Sequence, residues 1–82
     1  MRKYWFNPEA TERLADLKAT DEEFEAINLQ AADLAKNPKL GYRVLFLIAS
    51  LGLKKLFRLD VGRFHLYYTF DKHNLDVVTV SA

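Results

Sequence analysis

The chain contains no cysteine, which excludes disulfide staples, thiolate metal ligation and a cysteine nucleophile together. Histidine is nearly as scarce: His65 and His73 are the only two, and neither has a second histidine at ligand spacing, which argues against a metal site. The three glycines are scattered, so no phosphate-cradling loop is present. The longest uninterrupted apolar run is the six residues Val44 to Ala49, whereas a membrane helix needs roughly 20. The opening MRKYWFNPEA has a charged start with no apolar stretch behind it, unlike a secretory signal. These features lead to the expectation of a cytoplasmic protein with no membrane association and no cofactor. A formal net charge of +1 is too small for broad attraction to a polyanion, so any nucleic-acid contact would require local clustering of cations.

With 82 residues, half of them hydrophobic, the chain suits one globular domain spanning residues 1–82. A chain of this size buries about 60 to 65% of its unfolded surface, which leaves one modest core. The acidic first half has helical period and the basic second half has strand period. Tyr4 to Phe6 read as a short strand, and Asn7-Pro8 supplies an N-cap with proline at the first helical position. Ala10, Leu14 and Leu17 form the apolar stripe of that helix. Thr20-Asp21-Glu22-Glu23 is a capping box opening a second helix, striped by Phe24, Ile27, Ala31 and Leu34 and ending near Lys36. The spacing predicts a hairpin of two short antiparallel helices.

Beyond Gly41 the run YRVLFLIASLG must be buried against protein, either as a strand or as a two-turn helix; periodicity does not separate the two. From Lys54 strand alternation takes over. Phe57, Leu59 and Val61 form one face opposite Arg58 and Asp60. After a turn near Gly62, Phe64, Leu66, Tyr68 and Phe70 repeat the inward pattern. DKHN reads as a hairpin loop and LDVVTVS as a further β-branched strand. Trp5, between two aromatics, is expected to anchor the first strand in the core. The fold class is therefore α+β, with an N-terminal strand and a helical hairpin packed on one face of a small antiparallel sheet whose other face is open.

That open face would carry Arg58, Arg63, His65, Tyr67 and Thr69. RNA cleavage by its own 2′-hydroxyl needs a proton acceptor, charge on the phosphate and an acid for the leaving oxygen. An unperturbed imidazole has a pKa of about 6.5, in the range useful for acid or base work, which makes His65 the candidate acid–base group. Arg58 and Arg63 are candidates to join it. Lys54 and Lys55 are candidate phosphate holders, and Tyr67 a candidate stacking platform for a splayed base. The same residues also read as solvated surface, with Arg58 and Asp60 paired to cross-strand neighbours. Tyr42, Phe46 and Leu51, in and beside the apolar run, are candidates for contact with a protein partner.

The order β, α, α, β-meander together with LFRLDVGRFHLYYTFD resembles the RelE/ParE toxin superfamily. Phe57, Arg58, Leu59, Val61 and Gly62 match one strand of its pattern, and Phe64, His65, Leu66, Tyr67 and Tyr68 match the next. The resemblance implies the toxin of a plasmid-stabilising toxin–antitoxin pair with a cognate antitoxin as partner. One branch is an mRNA interferase that cuts on the ribosome; another inhibits DNA gyrase without chemistry. His65 stands where the nuclease branch usually has arginine, Asp60 occupies an often basic position, and VVTVSA ends where nuclease members continue into a basic stretch. The alternatives to a nuclease are thus a gyrase inhibitor or an inactive homologue acting as an interaction module. The apolar run also raises the expectation of a homodimer or aggregation without the antitoxin.

Overall fold

The structure, a computed structural model, describes residues 1–48 and 52–82, with backbone alone for 45–48 and 52–55. Asn7 accepts from the Glu9 amide and Pro8 occupies the first helical position, so the chain leaves strand β1 (Lys3–Phe6) directly into helix α1 (Pro8–Asp16). Helix α2 (Asp21–Lys36) opens on the full capping box: the Thr20 side chain accepts from the Glu23 amide and Glu23 accepts from the Thr20 amide. Both starts follow from local chemistry that satisfies amides a helix would otherwise leave unbonded.

After a single 3₁₀ turn at Pro38–Leu40, four strands complete the sheet: β2 (Tyr42–Ile48), β3 (Gly52–Val61), β4 (Phe64–Phe70) and β5 (Asn74–Ser81). The described part of the apolar run is therefore a strand, paired along its length with β3. The sheet order is β1-β5-β4-β3-β2. It is mixed, and this corrects the expectation of an antiparallel sheet: β1 runs parallel to β5, with Tyr4 opposite Leu75 and Phe6 opposite Val77. A helical crossover from β1 and the β2–β5 meander bring the first and last strands side by side, running in the same direction.

One face of the sheet carries the helices. Ala10 and Leu14 of α1 and Ile27 and Leu34 of α2 pack with Phe64, Leu66, Tyr68, Leu75, Val77 and Val80. Tyr4, Phe6, Phe57, Leu59, Val61 and Phe70 join this cluster, as the alternation predicts. The opposite face has a small cluster of its own, Leu56, Tyr67 and Val78 with Val44 against them. A β-bulge produces part of it: Tyr67 pairs with Thr79 but Tyr68 with Val77, leaving Val78 as the extra residue beside Tyr67. Trp5 does not reach the core. It is 47% exposed, because Tyr4 and Phe6 take the helix side and strand alternation sends the indole to the other. Among the described residues, no helix is long and apolar enough to cross a membrane.

Candidate functional site on the helix-free sheet face

The β3–β4 hairpin builds the site. Val61 pairs with Phe64 across the two turn residues Gly62 and Arg63, and Gly62 has φ +58°, a left-handed conformation that glycine enters without steric cost. This tight turn fixes the register behind it. Asp60 falls opposite His65 and Arg58 opposite Tyr67, while on the flanking strands Tyr42 lies opposite Arg58 and Ser81 opposite His65. The charged pair and the imidazole therefore converge from three strand positions on one face.

Their geometry is tight. Arg58 Nε donates to Asp60 Oδ1 at 2.8 Å, and its Nη2 lies 3.3 Å from Oδ2. His65 Nδ1 stands 2.7 Å from Asp60 Oδ1 and 3.0 Å from Arg58 Nη2. The Arg58 guanidinium also sits over the Tyr42 ring at 5.7 Å from its centroid. The side chains are partly open to solvent, 28% for Arg58, 45% for Asp60 and 29% for His65. Hydrogen bonds from Arg58 and then His65 hold the Asp60 carboxyl below the ordinary aspartate range, and the Asp60 bond pushes Arg58 up. Asp60 is thus an anion whenever the site works near neutrality.

Chemically, the arrangement combines an imidazole oriented by a carboxylate with a guanidinium whose fork is half used. The bonds to Asp60 employ Nε and Nη2, and a guanidinium presents five N–H donors, so Arg58 retains donors for a phosphate. Asp60 neutralises part of its charge.

Two other expected members do not take the expected part. Arg63 is not on this face. As a turn residue it swings to the helix side, where Nε and Nη2 bond Glu23 at 2.8 and 3.1 Å and Nη2 also donates to the Leu17 carbonyl at 3.0 Å. Its guanidinium lies 4.4 Å from the Phe64 ring centroid. A residue in a two-residue turn escapes strand alternation, which is why the pattern misplaced it. Tyr67 is on the face but only 7% exposed, packed with Leu56, Val78 and Val44. Its ring is part of the floor and is not presented for stacking; Ser81 Oγ donates to its hydroxyl at 3.4 Å.

Lys54 and Lys55 lie on β3, opposite Phe46 and Leu45 of β2; their side chains and that of Phe46 fall outside the described residues. Leu51 lies outside them altogether. Tyr42 is 51% exposed at the start of the outer strand. His73 sits in the β4–β5 turn, where Asp71 Oδ1 accepts from the His73 and Asn74 amides, both at 2.8 Å. Among the described residues, no group of three His, Cys, Asp or Glu side chains gathers as a metal site would need. A groove of about 440 Å³ lies away from His65, lined among others by Phe6, Leu14 and Phe24.

The sequence pointed to a cross-strand partner for Asp60 without naming it; that partner is His65. Its signal was present: across a two-residue turn at 62–63, residues 60 and 65 must face each other. Reading it required the turn to be fixed to the residue, which composition does not do.

The chain matches no protein-family model, and no curated protein is significantly similar to it.

Proposed function

We propose that the chain is the toxin component of a toxin–antitoxin pair of the RelE/ParE kind, disabling its target through the helix-free sheet face and cleaving messenger RNA on the ribosome. The observation that carries this reading is the Asp60–His65 hydrogen bond at 2.7 Å beside the half-used fork of Arg58. It supplies an oriented acid–base group and a cation for phosphate on one rigid surface, as in-line attack by a 2′-hydroxyl requires. The element order β1, α1, α2 and a β-meander is compatible with the resemblance. A cytoplasmic location and a cognate antitoxin belong to the same proposal.

Induced expression of the wild-type chain should arrest growth, and co-expression of the small open reading frame beside its gene should relieve the arrest. Purified protein added to ribosomes carrying message should cut the message, with His65→Ala losing cutting by about 10²-fold or more, as removal of a general acid–base group does. Free RNA should stay intact, because a site with one available arginine depends on the ribosome for orientation and charge. Growth unaffected by the wild-type chain, or robust cutting of naked RNA, overturns the proposal.

A second, non-catalytic reading is favoured by Arg63 and Tyr67, since the first is engaged by Glu23 and the second is buried. A gyrase inhibitor or a protein-interaction module needs no complete catalytic set. Toxicity that survives His65→Ala, with inhibited DNA supercoiling and intact message, selects it.

A further inference from the structure

His65 Nδ1 has two neighbours that make opposite demands. Asp60 Oδ1 at 2.7 Å accepts only, and Arg58 Nη2 at 3.0 Å donates only. A neutral imidazole carries one hydrogen, so Nδ1 satisfies one of them. If Nδ1 kept its lone pair for Arg58, that lone pair would face a carboxylate oxygen at 2.7 Å, two acceptors in repulsive contact. If Nδ1 carries the hydrogen, the shorter contact becomes a charge-assisted bond, and Arg58 keeps its own bonds to Asp60 through Nε and Nη2. The second arrangement gives each of the three groups a partner and leaves as its one unfavourable contact the longer donor–donor approach of Nη2 to Nδ1 at 3.0 Å.

From this geometry we infer that Asp60 is a positioning residue that locks His65 in the Nδ1–H form, leaving Nε2 as the bare nitrogen, and so assigns His65 the role of general base. The inference rests on the cleavage reading for its chemical consequence, though not for the tautomer. In that reaction Nε2 takes the proton of the 2′-hydroxyl as O2′ bonds to phosphorus. The bond from phosphorus to the 5′-oxygen breaks, that oxygen takes a proton from water, and the products are a 2′,3′-cyclic phosphate and a 5′-hydroxyl. Arg58 stands where its remaining donors meet the phosphate.

The arrangement is set by several strands together. Tyr42 from β2 lies against Arg58, Tyr67 on β4 lies across from it, and Ser81 on β5 lies across from His65. The carboxylate at Nδ1 bears on which ring nitrogen carries the hydrogen, since the hydrogen bond made by one imidazole nitrogen sets the tautomer.

Nitrogen-15 correlation spectra of the full chain at pH 8 test the assignment. The expected result is the Nδ1–H form at His65, with His73, in the β4–β5 turn, as internal reference. Asp60→Ala should return His65 to the Nε2–H form with the sheet amide resonances otherwise in place, and Asp60→Asn, which keeps an oxygen acceptor, should retain part of the Nδ1–H population. Dominance of the Nε2–H form in the wild-type protein overturns the inference, whatever the chain does to RNA. With ribosome-bound message, Asp60→Ala should lower kcat at least tenfold with KM little changed, and Asp60→Asn should recover part of it. A wild-type Nδ1–H form with no cleavage under any condition upholds Asp60 as the positioning group while sinking the cleavage reading.

Discussion

Arg63 and Tyr68 show how much of this small fold hangs on single side chains. Arg63 ties the β3–β4 turn to the Leu17 carbonyl just past α1 and to the first turn of α2, where it holds the Glu23 carboxyl down to about 2 from 4.5. A carboxylate with a depressed pKa stabilises the fold fully above its unfolded value and loses that effect as pH falls through its folded one. The melting temperature of the wild-type chain should therefore fall relative to Glu23→Gln between pH 5 and pH 2, and the gap should be constant from pH 6 to 8; a gap independent of pH throughout refutes the pairing. Tyr68 is fully buried, and its hydroxyl donates to the Pro38 carbonyl and accepts from the Gly41 amide. Tyr68→Phe leaves both groups without that partner and should cost about 1 to 3 kcal/mol in urea unfolding. Gly41 has no room for a larger residue, since an added Cβ would collide with the Tyr68 hydroxyl and the Arg58 carbonyl. Gly41→Ala should accordingly be at least as damaging.

Helix α1 ends in an arrangement that glycine usually occupies. The Lys18 amide bonds the Ala15 carbonyl at 3.0 Å, the Ala19 amide bonds Leu14 at 3.1 Å, and Lys18 has φ 55°. These two bonds form a Schellman motif with lysine in the left-handed position. Such a conformation costs a residue with a Cβ about 1 to 2 kcal/mol, so Lys18→Gly should raise stability by up to about 1 kcal/mol after the entropy of glycine is set against it. Unchanged or lower stability in thermal unfolding contradicts the strain. The mirror experiment is Gly62→Ala, where nothing lies within 4 Å of the added carbon but φ is positive. A loss of about 1 kcal/mol there isolates the backbone cost, and it should come with disturbed Asp60 and His65 resonances because that turn sets their register.

The sheet taken whole is unequally protected. The C-terminal end of β5 extends beyond β1, and Arg13 of α1 covers it by donating to the Val80 carbonyl at 3.2 Å. On the far side β2 is an outer strand, with YRVLFLI as its sequence and Arg43 as its single charge. A long apolar edge strand with few charges is a template for pairing with another chain. We expect concentration-dependent association of the isolated chain in sedimentation velocity, reduced by Phe46→Asp with the circular dichroism of a folded protein retained. A clean monomer at high concentration removes this expectation, and unfolding by Phe46→Asp assigns the residue to the interior.

Local chemistry written into the chain determined the two helix starts, the hairpin loops and the inward set Phe57, Leu59, Val61, Phe64, Leu66, Tyr68 and Phe70, because caps, turns and alternation act between residues a few positions apart. The same alternation identified Arg58, His65 and Tyr67 as neighbours on one face. Tertiary structure alone decided that β1 joins β5 in parallel, that Trp5 turns away from the core and that Tyr67 is floor and not platform. It also brought Arg63 to Glu23 on the helix side. Each of those outcomes depends on which strands become neighbours and on a turn and a bulge that shift register by one residue, and a one-residue shift sends a side chain to the other face. That decision is made by burial across the whole sheet, which no short stretch of sequence encodes.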